Sequence, residues 1–416
     1  MGQQSGISPL FSVDDLSKDY RPRPAPLFRP VRIVLAKGSN RTQRRRRLAE
    51  RICAAYPEAE VVEAFGVPHN RVDLGEGDRL RLHARGKQTL VLGEHQSALR
   101  FSTEKGNACP NYWHFSPYGF CPYGCHYCYL AGTPGVWFSP TVKIFLNLEE
   151  ILAKVDRTAK QLGRPTAFYL GKLQDGLALE PLSGYARAMV PFFAGHPYAR
   201  MVILTKSADV ENLLDLDSRG RTILSWTVNA PEVARCFERK TPDVSARIEA
   251  MRRCARAGYA VRAVLMPIIP VADWQAVYGR FVAALLESVP LARITLGSIC
   301  SYPQAQRLLE LKLGKQNVVS TLLRGRATTT PLSPDQPPVG ARRGTRQRVP
   351  GGEGRRASPD GRLRFNRSTR EEVYRHLIDC IRRQRPDLEI GLCLEDEATF
   401  ASLDLRGSIG RCNCVL

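Results

Sequence analysis

The sequence has no long hydrophobic run; its longest apolar stretches are strand-sized, too short to cross a membrane as a helix. No apolar segment near residue 1 has the form of a signal peptide. The opening MGQQSG places serine one position too early for the acylation pattern. The chain is therefore expected to be cytoplasmic, where thiols stay reduced. A second cysteine pair of zinc-site spacing is also lacking. The twelve cysteines are scattered, apart from one cluster and a Cys412-Asn413-Cys414 near the end. In a reducing compartment such a cluster points to a metal site rather than a disulfide framework. Acidic residues are in short supply as well: 61 Lys and Arg stand against 40 Asp and Glu, a formal charge of +21. That surplus favours a polyanionic partner such as nucleic acid, or a merely basic surface.

Along the chain, residues 1–30 are rich in Pro, Ser and Arg and read as a loose arm. Residues 31–105 form an N-terminal α/β extension, with a basic helix over 41–55 and a strand over 89–93. From residue 112, β-rich runs alternate with amphipathic stretches: 112–118, 167–171, 201–205, 222–228, 260–266 and 293–297. This alternation predicts βαβ units and a parallel sheet. Six units suit a partial (β/α)6 barrel over 106–300, a doubly wound sheet being the alternative, with the functional end where strands meet the following loops. One helix, 244–257, is well punctuated: Thr241 caps it, Pro242 suits its first turn, and Gly258 ends it. Residues 327–358 carry Pro, Gly, Arg and Ser with almost nothing apolar, and are expected to be disordered. Residues 301–326 and 359–416 complete the C-terminal part, with a helix near 369–384 and a strand over 388–395.

The chemistry concentrates in FCPYGCHYCYLAG, which spaces Cys121, Cys125 and Cys128 as CxxxCxxC. Three thiolates hold three irons of a [4Fe–4S] cluster and leave the fourth open, unlike the four-Cys ligation of electron-transfer clusters. In radical S-adenosylmethionine (SAM) chemistry, the amino and carboxylate groups of SAM take that open position. A zinc site with Cys109, His114 or His126 as fourth ligand is the competing reading, but zinc sites usually pair two half-sites and the second is missing. Gly124 allows the loop to wrap closely and Pro122 stiffens it.

Several longer segments extend this reading: CHYCYL, FLNLEEILAKVD, VILTKSADVENLL, the run from SWTVNAPEVARCFERKTP to RRCARAGYAV, and MPIIPVADWQAVY. On these the chain resembles the spore photoproduct lyase family of the radical SAM superfamily, over about residues 85–325 and again from 359. The resemblance implies a (β/α)6 barrel, a [4Fe–4S] cluster, SAM, and light-independent repair of a thymine dimer in DNA. It also implies an electron donor such as a flavodoxin or ferredoxin. Carried over by position, Asp175, Lys206, Thr227 and Asn229 would lie near SAM. Tyr127 and Tyr129 resemble the family's hydrogen-atom relay tyrosines.

The family also has a cysteine on the loop after its second strand, which returns a hydrogen atom to the product radical. Here that stretch reads FYLGKLQDGLALE. Lys172 takes the place, and no cysteine occurs between Cys128 and Cys236. An ammonium cannot replace a thiol in that role. Either another thiol such as Cys300 or Cys393 substitutes, a tyrosine acts directly, or the substrate differs (an RNA, a peptide or a small molecule). Cys236, Cys254 and Cys380 are expected to be structural. Residues 324–370 hold twelve arginines and no lysine. Among them Arg362, Arg364 and Arg367, beside Phe365 and with Arg324 and Arg326 upstream, are the expected DNA contacts. A non-catalytic, metal-bearing nucleic-acid-binding protein is the remaining alternative.

Overall fold

The computed structural model describes residues 13–325 and 360–416. The insert expected over 327–358, Arg326 and the first twelve residues lie outside the described residues. An eight-stranded sheet dominates, in the order Glu389–Leu392, Arg293–Ser298, Ala260–Ile268, Thr222–Val228, Ala199–Thr205, Thr166–Leu170, Tyr112–Phe115, Leu99–Ser102. Seven of these strands run parallel; only Leu99–Ser102 is antiparallel to its neighbour. This is a partial barrel of α/β type. All six expected strands are present, and the C-terminal strand adds a seventh. Among the described residues no helix is long and apolar enough to cross a membrane.

Strand periodicity sorts the side chains. Phe168, Met201, Trp226, Leu265 and Ile294 point outward and are fully buried beneath the helices. Inward, cross-strand register places Leu204, Ser225, Arg262, Arg293 and Glu389 in one row, with Thr227, Val264, Thr295 and Gly391 in the next. The helices cover the outer face through apolar stripes: Leu148–Leu162 buries Leu148, Ile151, Leu152, Val155 and Ala159, and ends at Gly163 in the left-handed region (φ 60°).

Three expectations need correction. Residues 13–30 are not a loose arm. Ala25 and Phe28 are buried, and the Tyr20 hydroxyl donates to the Pro181 carbonyl at 2.8 Å. Apolar anchors outweigh the local polarity there. Nor does the N-terminal α/β extension end at residue 105. Its parallel sheet (Glu60–Glu63, Arg32–Leu35, Thr89–Gly93) takes a fourth strand, Val142–Phe145, from beyond the cysteines, and one hydrophobic core runs through both sheets. Finally, the helix expected over 244–257 is present as Val244–Arg256, but its N-cap position is Asp243, with no side-chain cap bond, and not Thr241. Thr241 instead donates its hydroxyl to the Glu238 carbonyl at 2.8 Å.

Candidate active site

A cavity of about 270 Å³ opens where the strands end. The cysteine loop follows the Tyr112–Phe115 strand and enters this cavity with all three thiols: Cys121, Cys125 and Cys128 line it. Within the loop the Cys128 N–H donates to the Cys125 carbonyl at 3.4 Å, and further clamps come from elsewhere. The Lys87 ammonium donates to the carbonyls of Cys121 and Tyr123, the second at 2.7 Å. Gly124–Cys125 pairs antiparallel with Glu238–Arg239, and the His126 N–H donates to the Phe237 carbonyl at 2.8 Å. A Cβ on residue 124 would stand 3.0 Å from the Arg239 carbonyl oxygen, so glycine permits that close approach.

Behind this pairing lies a buried ion pair. Arg247 and Glu238 meet at 2.5 Å, and the Tyr127 hydroxyl donates to the same carboxylate. Burial pushes the thiols of Cys121 and Cys125 up, the latter to about 12, against the pull of Lys87 and Lys206 respectively. Both are therefore neutral thiols at pH 7 until a cation binds, and metal uptake would release their protons. Among the described residues no three His, Cys, Asp or Glu side chains converge closely enough to hold a single metal ion. Three thiols spread over one loop suit a polynuclear cluster instead, in which each ligand meets its own iron.

Asp175 lines the cavity, but its carboxylate is largely committed. Oδ1 accepts from the Thr205 hydroxyl at 2.6 Å and from the N–H groups of Leu177 and Ala178; Oδ2 accepts from the Lys206 N–H at 2.7 Å. It ties two strand ends together and fixes where Lys206 emerges. The Lys206 ammonium lies 5.8 Å from the Tyr127 ring centre and lines the cavity. Thr227 lines it too. Asn229 does not: its carboxamide donates to the Pro267 carbonyl and accepts from the Tyr278 hydroxyl and the Ala230 N–H. It shapes the turn behind the cavity. Tyr129 reaches into the cavity, its hydroxyl donating to the Lys172 carbonyl.

The opposite wall is ionic. The Lys172 ammonium pairs with Glu104 at 2.7 Å, and Arg362 meets the same carboxylate at 2.8 Å. Burial alone would raise the Glu104 carboxyl, but the two cations outweigh it and hold it below its ordinary range. Arg364 pairs with Asp360 at 2.6 Å. Of the three arginines expected on DNA, Arg362 thus faces the cavity, Arg364 is turned inward, and only Arg367 is well exposed, paired with Glu371 at 2.7 Å. Sequence reading missed Glu104, Glu238 and Arg247 as site residues. The last two fall within a segment already singled out, but nothing in their spacing announces that they clamp a loop a hundred residues away.

Comparison with known proteins comes to the same place. A sequence model described as spore photoproduct lyase matches residues 43–297. The chain is 30% identical over 236 residues to the spore photoproduct lyase of Geobacillus sp., covering 55% of this chain and 66% of that protein. It is 28% identical over 225 residues to that of Bacillus subtilis, covering 53% and 64%. The match thus spans somewhat less than two thirds of these relatives' length. Similarity in three dimensions reaches further. The solved structure of spore photoproduct lyase complexed with dinucleoside spore photoproduct superposes with a TM-score of 0.69 at 20% identity, covering 88% of this chain and 99% of that one. A mutant form with bound AdoMet and the same dinucleoside gives 0.68 at 20% identity, with 87% and 98% covered. At that identity the likeness is one of fold.

Proposed function

The chain belongs to the spore photoproduct lyase family, and from that premise we propose that it is a radical SAM enzyme acting on DNA, with thymine-dimer repair as its reaction. The observation that carries this reading is the convergence of Cys121, Cys125 and Cys128 on a cavity that Lys206, Asp175 and Thr227 also line. The donor set fits a [4Fe–4S] cluster with one iron left for SAM. Together these groups, when bound, supply a 5′-deoxyadenosyl radical.

The chain's own residues then hold and orient. Lys206 meets the SAM carboxylate as a charge-assisted donor. Asp175 positions Lys206 and presents its remaining acceptor capacity to the SAM ammonium or hydroxyl groups. Thr227 adds a polar contact beside them, and Asn229 supports the turn from behind. Tyr129, whose hydroxyl reaches into the cavity, serves in hydrogen-atom relay. Tyr127, bonded to Glu238, holds the loop against the Glu238–Arg247 pair. Arg362 faces the substrate within the cavity, while Arg367 is placed to meet backbone phosphate. Electrons come from a small external carrier of the flavodoxin or ferredoxin kind.

A second reading has a specific observation behind it. The position of the relatives' hydrogen-donor cysteine holds Lys172, locked to Glu104. This favours a lyase-like enzyme with a different substrate, one whose charge the Glu104–Lys172–Arg362 set would complement. One experiment separates the two. Protein reconstituted anaerobically with iron and sulfide is given SAM, reductant and dinucleoside spore photoproduct. The first reading expects 5′-deoxyadenosine and restored thymine. SAM cleavage with the dimer left intact would move the assignment to the second reading. A Cys125→Ala variant should do neither reaction, and any SAM cleavage by it would overturn both.

A further inference from the structure

The same cavity has a second sulfur-rich wall that the proposed reaction does not use. Cys109, Cys393, Cys412 and Cys414 all line it, brought from three distant segments. Each segment is pinned by contacts of its own. The Ala108 N–H donates to the Glu395 carbonyl at 2.7 Å, which seats Cys109 beside the last strand. Cys393 follows that strand, its N–H donating to the Leu296 carbonyl at 2.8 Å. The tail carrying Cys412 and Cys414 threads the inside of the barrel. Arg293 donates to the Cys412 carbonyl at 2.9 Å, Arg262 to the Val415 carbonyl at 2.6 Å, and Ser225 to the Asn413 side chain at 2.7 Å. Cys412 neighbours both Cys109 and Cys414. Cys393 neighbours Cys109 and Cys412.

A buried cysteine is by itself a small apolar residue, and four of them could be nothing more. Two observations argue otherwise. Asn413 sits between Cys412 and Cys414, lines the cavity and is 4% exposed, yet its Nδ2 has no hydrogen-bond partner. A buried amide donor left unpaired is costly unless an acceptor occupies the space before it. In addition, the buried guanidiniums of Arg262 and Arg293 stand on the same inner row, and Arg262 lies close to both tail thiols. Two buried cations beside these thiols complement an anionic group held between them.

We propose that Cys109, Cys393, Cys412 and Cys414 ligate a second [4Fe–4S] cluster, with the Asn413 amide donating to one of its sulfur atoms. Four thiols, not three, leave no iron open, so this centre passes or stores electrons instead of binding SAM. Cys300 lines the cavity and neighbours Cys393 too, but its strand pairs with Leu363–Arg364 and its thiol lies beside Arg362, Arg364 and Asp360.

The test is iron and acid-labile sulfide per chain in the full-length protein after anaerobic reconstitution. Wild type should hold about eight irons, on the basis of four per cluster. Cys125→Ala should keep about half, and a Cys412→Ser/Cys414→Ser double variant should lose about half while still cleaving SAM. Cys109→Ser, off the tail, gives the same loss if the tail variant folds poorly. Wild type with only four irons, a Cys125→Ala protein free of iron, stoichiometric zinc, or a Cys109–Cys412 disulfide in unreduced anaerobic protein would each overturn the second cluster. A wild type that loses only the Cys125-dependent half of its iron would count against the first site alone.

Discussion

Cys121, Cys125 and Cys128 share one short loop, whereas the four thiols facing them come from three segments, one of them nearly three hundred residues from the other two. The two walls of the cavity are held in opposite ways. The loop supplies its own sulfur and borrows its rigidity from Lys87, Glu238 and Arg247. The tail wall borrows its sulfur from several segments, and the barrel interior supplies the rigidity through Arg262, Arg293 and Ser225. A contiguous motif can diverge around its clamps and keep its chemistry. An assembled set exists only while the fold brings it together.

The sharpest way to break this contrast is at the loop's buried clamp. Arg247 is fully buried, and replacing it with Met leaves the Glu238 carboxylate buried without its cation. The expected cost is about 3–5 kcal/mol, the range for removing one partner of a buried pair. Denaturant unfolding measures it, and iron retention should fall in parallel. A loss below about 1 kcal/mol would mean that the clamp is not electrostatic. On the tail side, Gly391→Ala drives a Cβ to 2.4 Å from the Arg411 carbonyl oxygen. Backbone must move, at about 1–3 kcal/mol. The specific sign is release of the tail: carboxypeptidase should trim the variant several-fold faster than wild type. Equal trimming would show that the tail accommodates the methyl without leaving the barrel.

This contrast also explains what could be read from the residues in order. The strands from Tyr112 to Ser298 and the helix Leu148–Leu162 announce themselves through local periodicity, which does not depend on the rest of the chain. The three-cysteine loop is equally local. What stayed hidden depends on contacts across the chain. Val142–Phe145 is a short stretch interrupted by Lys143, and only packing decides that it joins the N-terminal sheet. Tyr20, Ala25 and Phe28 lie in a stretch whose composition says loop, yet they dock on a surface that composition cannot show. Arg362 reads as a phosphate contact because its acidic partner Glu104 is brought alongside only by the fold, whereas Asp360, four residues before Arg364, stands in the same stretch of sequence.

The ionic wall offers a smaller test, through pH. Glu104 has its carboxyl held low by Lys172 and Arg362 in the face of burial. A carboxyl depressed on folding contributes stability that is fully present above the unfolded value, about 4.3. That contribution is lost as pH falls through the lower folded value, because the unfolded chain then binds the proton first. Lys172→Met should therefore flatten the fall in stability below about pH 4 and cost on the order of 1 kcal/mol at pH 7. An acid limb as steep as wild type would show that Arg362 alone sets the carboxyl.

The smallest expected effect separates stability from binding. Arg367 is 45% exposed and pairs with Glu371 on the helix surface, a bond worth no more than about 0.5 kcal/mol. Arg367→Ala should leave unfolding almost unchanged. If the residue meets DNA, its loss weakens binding equally across sequences and lowers the slope of log affinity against log salt by about 1. Arg364→Ala offers the contrast, because its guanidinium is already taken by Asp360. Removing it should cost stability and leave the salt slope unmoved. The reverse pattern, with Arg364 changing the slope and Arg367 not, would require the Arg364–Asp360 pair to open when nucleic acid binds. The contact surface would then lie along the cavity rim and not on the helix that begins at Arg367.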